Sequence, residues 1–131
     1  MSAWDTTAFG NDPAADWAID LLEAKEPVAF LRRTFLLAKD GRYLDNEDGS
    51  QIVAAAAVVA AARGHVPQGL PENVADWLKG KETTFQPLAP TALAALRRVT
   101  GEESELKDLW QESDDFAAWK ADVAAISGSL G

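Results

Sequence analysis

Residues 51–63, QIVAAAAVVAAAR, are the most apolar run in the chain, and nearly all of their side chains are small. Alanine has the highest helix propensity and loses no side-chain entropy on folding. Four consecutive alanines therefore outweigh the strand preference of Ile52, Val53, Val58 and Val59, and the run reads as a helix ended by Gly64. Such a helix is a thin rod that neighbours can approach closely. The expected architecture is all-α: a compact multi-helix domain of about seven helical segments around this central alanine-rich helix.

A chain of 131 residues suits one domain with a real core, so residues 1–131 are read as a single helical domain. The formal charge of −9 repels phosphate backbones and anionic bilayers, so neither nucleic acid nor membrane is an expected partner. Without cysteine there are no disulfides or thiolate metal sites, and one histidine excludes motifs that need two. The opening MSAWDTTAFGND has no basic region followed by an apolar stretch, and the Ala/Val run is too short to span a bilayer. The expected location is the cytoplasm.

Residues 1–11 read as an irregular segment whose Trp4 and Phe9 plug against the core. Asp12 reads as an N-cap, with Pro13 opening a helix to about Ala24 that buries Trp17 and Leu21 and turns Asp16, Asp20 and Glu23 outward. Pro27 opens a second helix, well buried through Leu31 and Phe35 and stopped by Gly41. GRYLDNEDGS reads as a loop. Asp48 with Gln51 resembles a capping box for the central helix, with Asp45 or Asn46 as caps for an earlier start.

Beyond Gly64, Pro71 starts a short helix with Val74, Trp77 and Leu78 inward. Residues 81–90 read as a loop anchored by Phe85 and Leu88. Thr91–Val99 is amphipathic, and Thr100 with Glu103 resembles a further capping box. Leu106, Leu109 and Trp110 line the next helix. Ser113, Asp114 and Asp115 start the last one, striped by Phe116, Trp119, Val123 and Ile126 and trailing into a frayed SGSLG.

Two phrases at opposite ends of the chain carry a resemblance. Trp4, Asp5, Thr6, Thr7, Phe9, Asn11, Asp12, Asp16 and Trp17, with Ala14 or Ala15, follow an opening Trp-Gly-Thr-Gly-x-Phe-x-Asn-Asp-x-Ala-x-Asp-Trp pattern. Glu103, Ser104, Glu105, Leu106, Leu109, Trp110 and Glu112 follow a closing Asn-Ser-Glu-Leu-x-x-Leu-Trp-x-Glu pattern, and the tract around Tyr43 and Leu44 is similar too. Over essentially its whole length the chain resembles a bacterial family catalogued as domain of unknown function 4259. It departs at Asp5 and Thr7, where the family pattern has glycine. The resemblance implies no activity.

Chemistry-bearing constellations are few. Asp16 and Asp20 share a helix face one turn apart, and with Asp12 they form a candidate Mg²⁺ or Ca²⁺ site, although a cap plus a solvated face accounts for them more simply. Asp45–Asp48 fails the EF-hand pattern because aligning Gly49 to the invariant glycine puts Leu44 at the first ligand position. The acidic run from Glu102 to Asp115 holds one lysine, Lys107, and could dock a basic partner. His65 has no cysteine to activate, and no nucleophile elbow or phosphate loop is present.

These residues favour a small acidic interaction or accessory module, antitoxin-like in acting by occlusion, without catalytic activity or cofactor. Trp4, Phe9, Asn11, Asp12 and Trp110 are its candidate binding residues, and a protein of basic character is its expected partner. Such a module should show an exposed apolar or aromatic patch edged by carboxylates. Two alternatives stand beside it. One is a divalent-metal-dependent hydrolase or small-ligand binder built on Asp12, Asp16 and Asp20; the other is a structural or regulatory homo-oligomer. Monomer and small homo-oligomer are both open.

Overall fold

A computed structural model of the chain describes residues 5–38 and 43–131. Its helices are α1 (Asp12–Glu23), α2 (Pro27–Phe35), α3 (Asn46–Ala62), α4 (Glu72–Leu78), α5 (Glu82–Phe85), α6 (Ala89–Thr100), α7 (Glu105–Gln111) and α8 (Phe116–Leu130). The single-turn α5 runs through a 3-10 turn, Gln86–Leu88, into α6, leaving seven helices of seven residues or more among the described residues. Those residues hold no strand. Their one β-bridge joins Leu44 to Ser104. No helix is long and apolar enough to cross a membrane.

The alanine-rich helix is the axle of the domain. Every residue from Gly49 to Ala62 except Gln51 is buried. α1, α2, α5, α6, α7 and α8 all pack on it, and α4 packs on α1. This encirclement follows from side-chain size, because methyl groups keep the rod narrow enough for several neighbours to reach it. At Gly49 the approach of α7 is close: an added Cβ would lie 3.2 Å from Leu106 Cβ.

Several boundaries differ from those read off the sequence. α3 takes the earlier of its two possible starts, at Asn46, because Asp45, the alternative cap, accepts a hydrogen bond from Asp48 N at 2.8 Å. Asn11, not Asp12, caps α1, accepting from Ala14 N at 2.9 Å. α2 ends at Phe35, and Leu36 beyond it is exposed; Gly41, the expected stop, lies outside the described residues. Residues 82–88 are helical rather than looped, with Phe85 and Leu88 buried as anticipated. Ser104 replaces Thr100 as the cap of α7. The C-terminal SGSLG does not fray: α8 runs to Leu130, which is buried, and Ser129 O accepts from Arg63 Nε at 2.6 Å.

The bridge at Leu44 fixes how the chain enters α3. Leu44 N donates to Glu103 O at 2.9 Å, and Glu105 N donates to Leu44 O at 2.8 Å. The Glu105 carboxylate then accepts from Asn46 N at 2.8 Å and Asn46 Nδ2 at 3.0 Å. An anion thus meets the first free N–H of α3, where the helix dipole favours it.

One buried polar group is an exception. Ser50 is only 1% exposed, and its hydroxyl has no hydrogen-bond partner among the described residues. Leaving such a group unsatisfied costs about 1–3 kcal/mol, and alanine is also the better helix former. Ser50→Ala should therefore stabilise the protein by about 1–2 kcal/mol, read as a higher urea midpoint at unchanged m-value.

Candidate functional site

α1, α2 and the first two turns of α3 enclose an open groove of about 570 Å³. Its floor follows from the α1 sequence, because Trp17 is a buried position of that helix. The indole Nε1 donates to Thr34 Oγ1 at 2.9 Å, and the Thr34 hydroxyl donates to Phe30 O at 3.1 Å. The Trp17 and Phe30 rings stack with centroids 5.5 Å apart. Both polar atoms of the buried pair are satisfied, which fixes the indole and its stacking partner in one arrangement.

Around this floor stand charges. Asp12, Asp16 and Asp20 of α1 line one wall, Glu47 of α3 another, and Arg33 of α2 a third. The spacing of four repeats Asp12, Asp16 and Asp20 along one side of α1, while Trp17 turns under them. None of the four carboxylates has an ion-pair partner among the described residues; the Lys79–Asp76 pair lies elsewhere. The surroundings are thus an aromatic and apolar base, including half-buried Phe30 and Leu37, edged by four unpaired carboxylates and the single cation of Arg33.

The anticipated site residues scatter. Asp12, Asp16 and Asp20 share this groove, yet no group of three or more His, Cys, Asp or Glu among the described residues is arranged to hold a metal ion. Asn11 is occupied as the cap of α1. Phe9 is 9% exposed and packs in the core, so it plugs as expected and offers little surface. Trp110 is half-buried, stacked on Trp119 at 6.4 Å. Trp4 lies outside the described residues. His65 is half-buried beside a small hollow that it shares with Pro67 and Asp122. In the acidic run from Glu102, the apolar Leu109 is 46% exposed.

Phe30, Arg33, Leu37 and Glu47 complete the groove and were not anticipated. A signal for Glu47 existed: with Asp45 as the cap, Glu47 and Gln51 stand one turn apart on the same side of α3. The signal for α2 was its early end, since only a short helix leaves Leu37 in a turn beside the groove.

The N-terminal phrase has a structural role. Asp5 Oδ1 accepts from the backbone and hydroxyl of Thr7, and Asp5 N donates to Gly10 O at 2.9 Å. A Cβ at Gly10 would overlap the Asp5 carboxylate as it stands, so a larger residue there would displace that carboxylate from Thr7. Thr6 Oγ1 donates to Asp122 Oδ2 at 2.9 Å, tying the segment to α8. Asp5 and Thr7 thus build a tight turn through side-chain hydrogen bonds.

Near α7, the Tyr43 hydroxyl donates to Asp108 Oδ2 at 2.9 Å. That bond, with burial and the charges of Asp108, Glu105 and Glu112, raises its pKa above the ordinary 10.0. Tyr43 is the only tyrosine, so its titration can be followed by absorbance without interference from another phenol. The midpoint should lie above 10.0 and return toward it in Asp108→Asn. Its stabilising contribution is complete below the unfolded-state pKa and is lost as pH rises through the folded one.

No curated protein and no solved structure matches the chain. A family model does match, over residues 2–122, and its description is "Domain of unknown function (DUF4259)". The chain therefore belongs to the DUF4259 family, as the phrases around Trp17 and Trp110 imply.

Proposed function

We propose that the protein is a non-catalytic binding module that takes a basic segment of a protein partner into the groove between α1, α2 and α3. The observation that carries this reading is the Trp17–Phe30 base edged by the unpaired Asp12, Asp16, Asp20 and Glu47. A lysine or arginine side chain has the matching shape. Its aliphatic stem covers Phe30 and Leu37 while its charged head meets the carboxylates. The overall charge of −9 adds long-range attraction for a cationic partner. In this reading the module works in the cytoplasm, as a monomer or small homo-oligomer, and acts by occupying its partner, as an antitoxin-like accessory protein would.

The test is calorimetric titration with a peptide alternating arginine or lysine with apolar residues. Binding should weaken steeply as salt rises. In the double variant Asp16→Asn/Asp20→Asn the affinity should fall at least about tenfold, since a desolvated charged contact is worth about 1.5–3 kcal/mol. No heat of binding, or an affinity indifferent to both salt and the double variant, would refute the reading. Both side chains are exposed, so the variant should keep the wild-type fold.

A further inference from the structure

We propose that a second groove, between α8 and the facing parts of α6 and α7, binds a small organic anion with an apolar body, of the medium-chain carboxylate class. The site is separate from the acidic groove and takes a ligand of opposite sign.

The hollow has a volume of about 410 Å³, within the roughly 300–1,000 Å³ range of small-molecule sites. Its base is apolar: Trp119 and Val123 are buried, and Phe116 is half-buried. Phe116 stacks on Trp119 at 6.1 Å, and Trp110 covers the same indole at 6.4 Å, so the aromatic wall is held from two directions. Lys107 of α7 and Lys120 of α8 both line the hollow.

The lysines decide the sign of the ligand. The chain holds 21 acidic and 12 basic side chains, so carboxylate partners are plentiful. Yet among the described residues neither Lys107 nor Lys120 has a carboxylate within ion-pairing distance. The Lys120 ammonium sits 5.5 Å from the Phe116 ring centroid instead, at the apolar lining. Two ammonium-bearing side chains on two different helices thus share one aromatic hollow without an internal counter-ion. An anionic head group supplies that counter-ion through charge-assisted hydrogen bonds, and an acyl body fills the space over Val123 and Trp119. The small volume of this open hollow suits a small molecule rather than a helix or strand of a partner.

Decanoate, kept below its micelle concentration, is the probe. Titrated into the ¹⁵N-labelled protein, it should give saturable shifts centred on the Trp119 indole and the residues of α6, α7 and α8 around it. Decanol and decyltrimethylammonium should bind at least tenfold more weakly. Lys107→Gln/Lys120→Gln should weaken decanoate binding at least tenfold at an unchanged circular-dichroism spectrum. Ala124→Trp, which fills the hollow while keeping both lysines, should abolish it. Absence of saturable shifts, shifts centred elsewhere, equal affinity for decanol, or a double variant that binds as tightly as wild type would each overturn the proposal. Because the acidic groove is tested with a cationic peptide, failure of either site is read independently of the other.

Discussion

Trp17→Ala should lower folding stability by about 3–5 kcal/mol, the usual cost of deleting a buried aromatic side chain. Trp17 is 3% exposed and joins three things: the α1 face of the core, the Phe30 ring, and the Thr34 hydroxyl. Truncation opens a cavity that α1, α2 and α3 cannot close without moving, and it removes the donor that satisfies Thr34 Oγ1. For a small domain whose total stability is about 5–15 kcal/mol, this is a large fraction. Trp17→Phe separates the two losses. It keeps most of the packing and leaves Thr34 without its donor, so about 1–2 kcal/mol should go. Urea unfolding followed by circular dichroism measures both. A loss in Trp17→Ala no larger than in Trp17→Phe would mean that the indole packs loosely and that the groove floor is not rigid.

Ala56→Leu should cost about 3 kcal/mol, at the upper end for overpacking a filled core. Ala56 has no exposed surface and sits mid-way along α3, where helices pack on several sides of the rod. No flank is free to receive the added branched side chain, so a neighbouring helix must shift or the new rotamer must strain. The control is Ala94→Leu on the exposed side of α6, expected to change stability by no more than about 0.5 kcal/mol. Equal effects at the two positions would contradict the encirclement of α3.

The part of this fold that sequence made legible is the part set by side-chain size and helical period. The alanine run read correctly from the propensity and size of its side chains, and the Trp17–Leu21 face of α1 and the Trp119–Val123–Ile126 stripe of α8 because their burial repeats with the helix. The misread boundaries share a different cause. Asn11 against Asp12 is a choice between adjacent residues, and Asp45 against Asp48 and Ser104 against Thr100 are choices between residues about one helical turn apart, all with nearly equal local capping ability. Tertiary contacts settle two of them. The bridge between Leu44 and Ser104, with Glu105 reaching Asn46, links segments about sixty residues apart, and no local pattern encodes such a link. The helical turn at 82–88 was hidden by Pro87, which suits a helix start as well as a loop.

The acidic groove was half legible for the same reason. Spacing put Asp12, Asp16 and Asp20 on one side of α1, but nothing in the sequence joined them to Trp17 and Phe30. Its other walls come from α2 and α3, and which residues of those helices face α1 depends on where each helix begins and how it crosses.

The encircled position of α3 has a consequence for local motion. Amide protons exchange with solvent when their hydrogen bonds open, and those of a helix covered on nearly every side cannot open by fraying. In hydrogen–deuterium exchange the amides of residues 53–61 should be the slowest in the chain, exchanging only when the whole domain unfolds. Those of α4, which packs mainly on α1, should exchange through a cheaper local opening. The slow set would then report the global unfolding free energy directly, and every destabilising substitution in the surrounding helices should speed the exchange of this one helix by the same free energy.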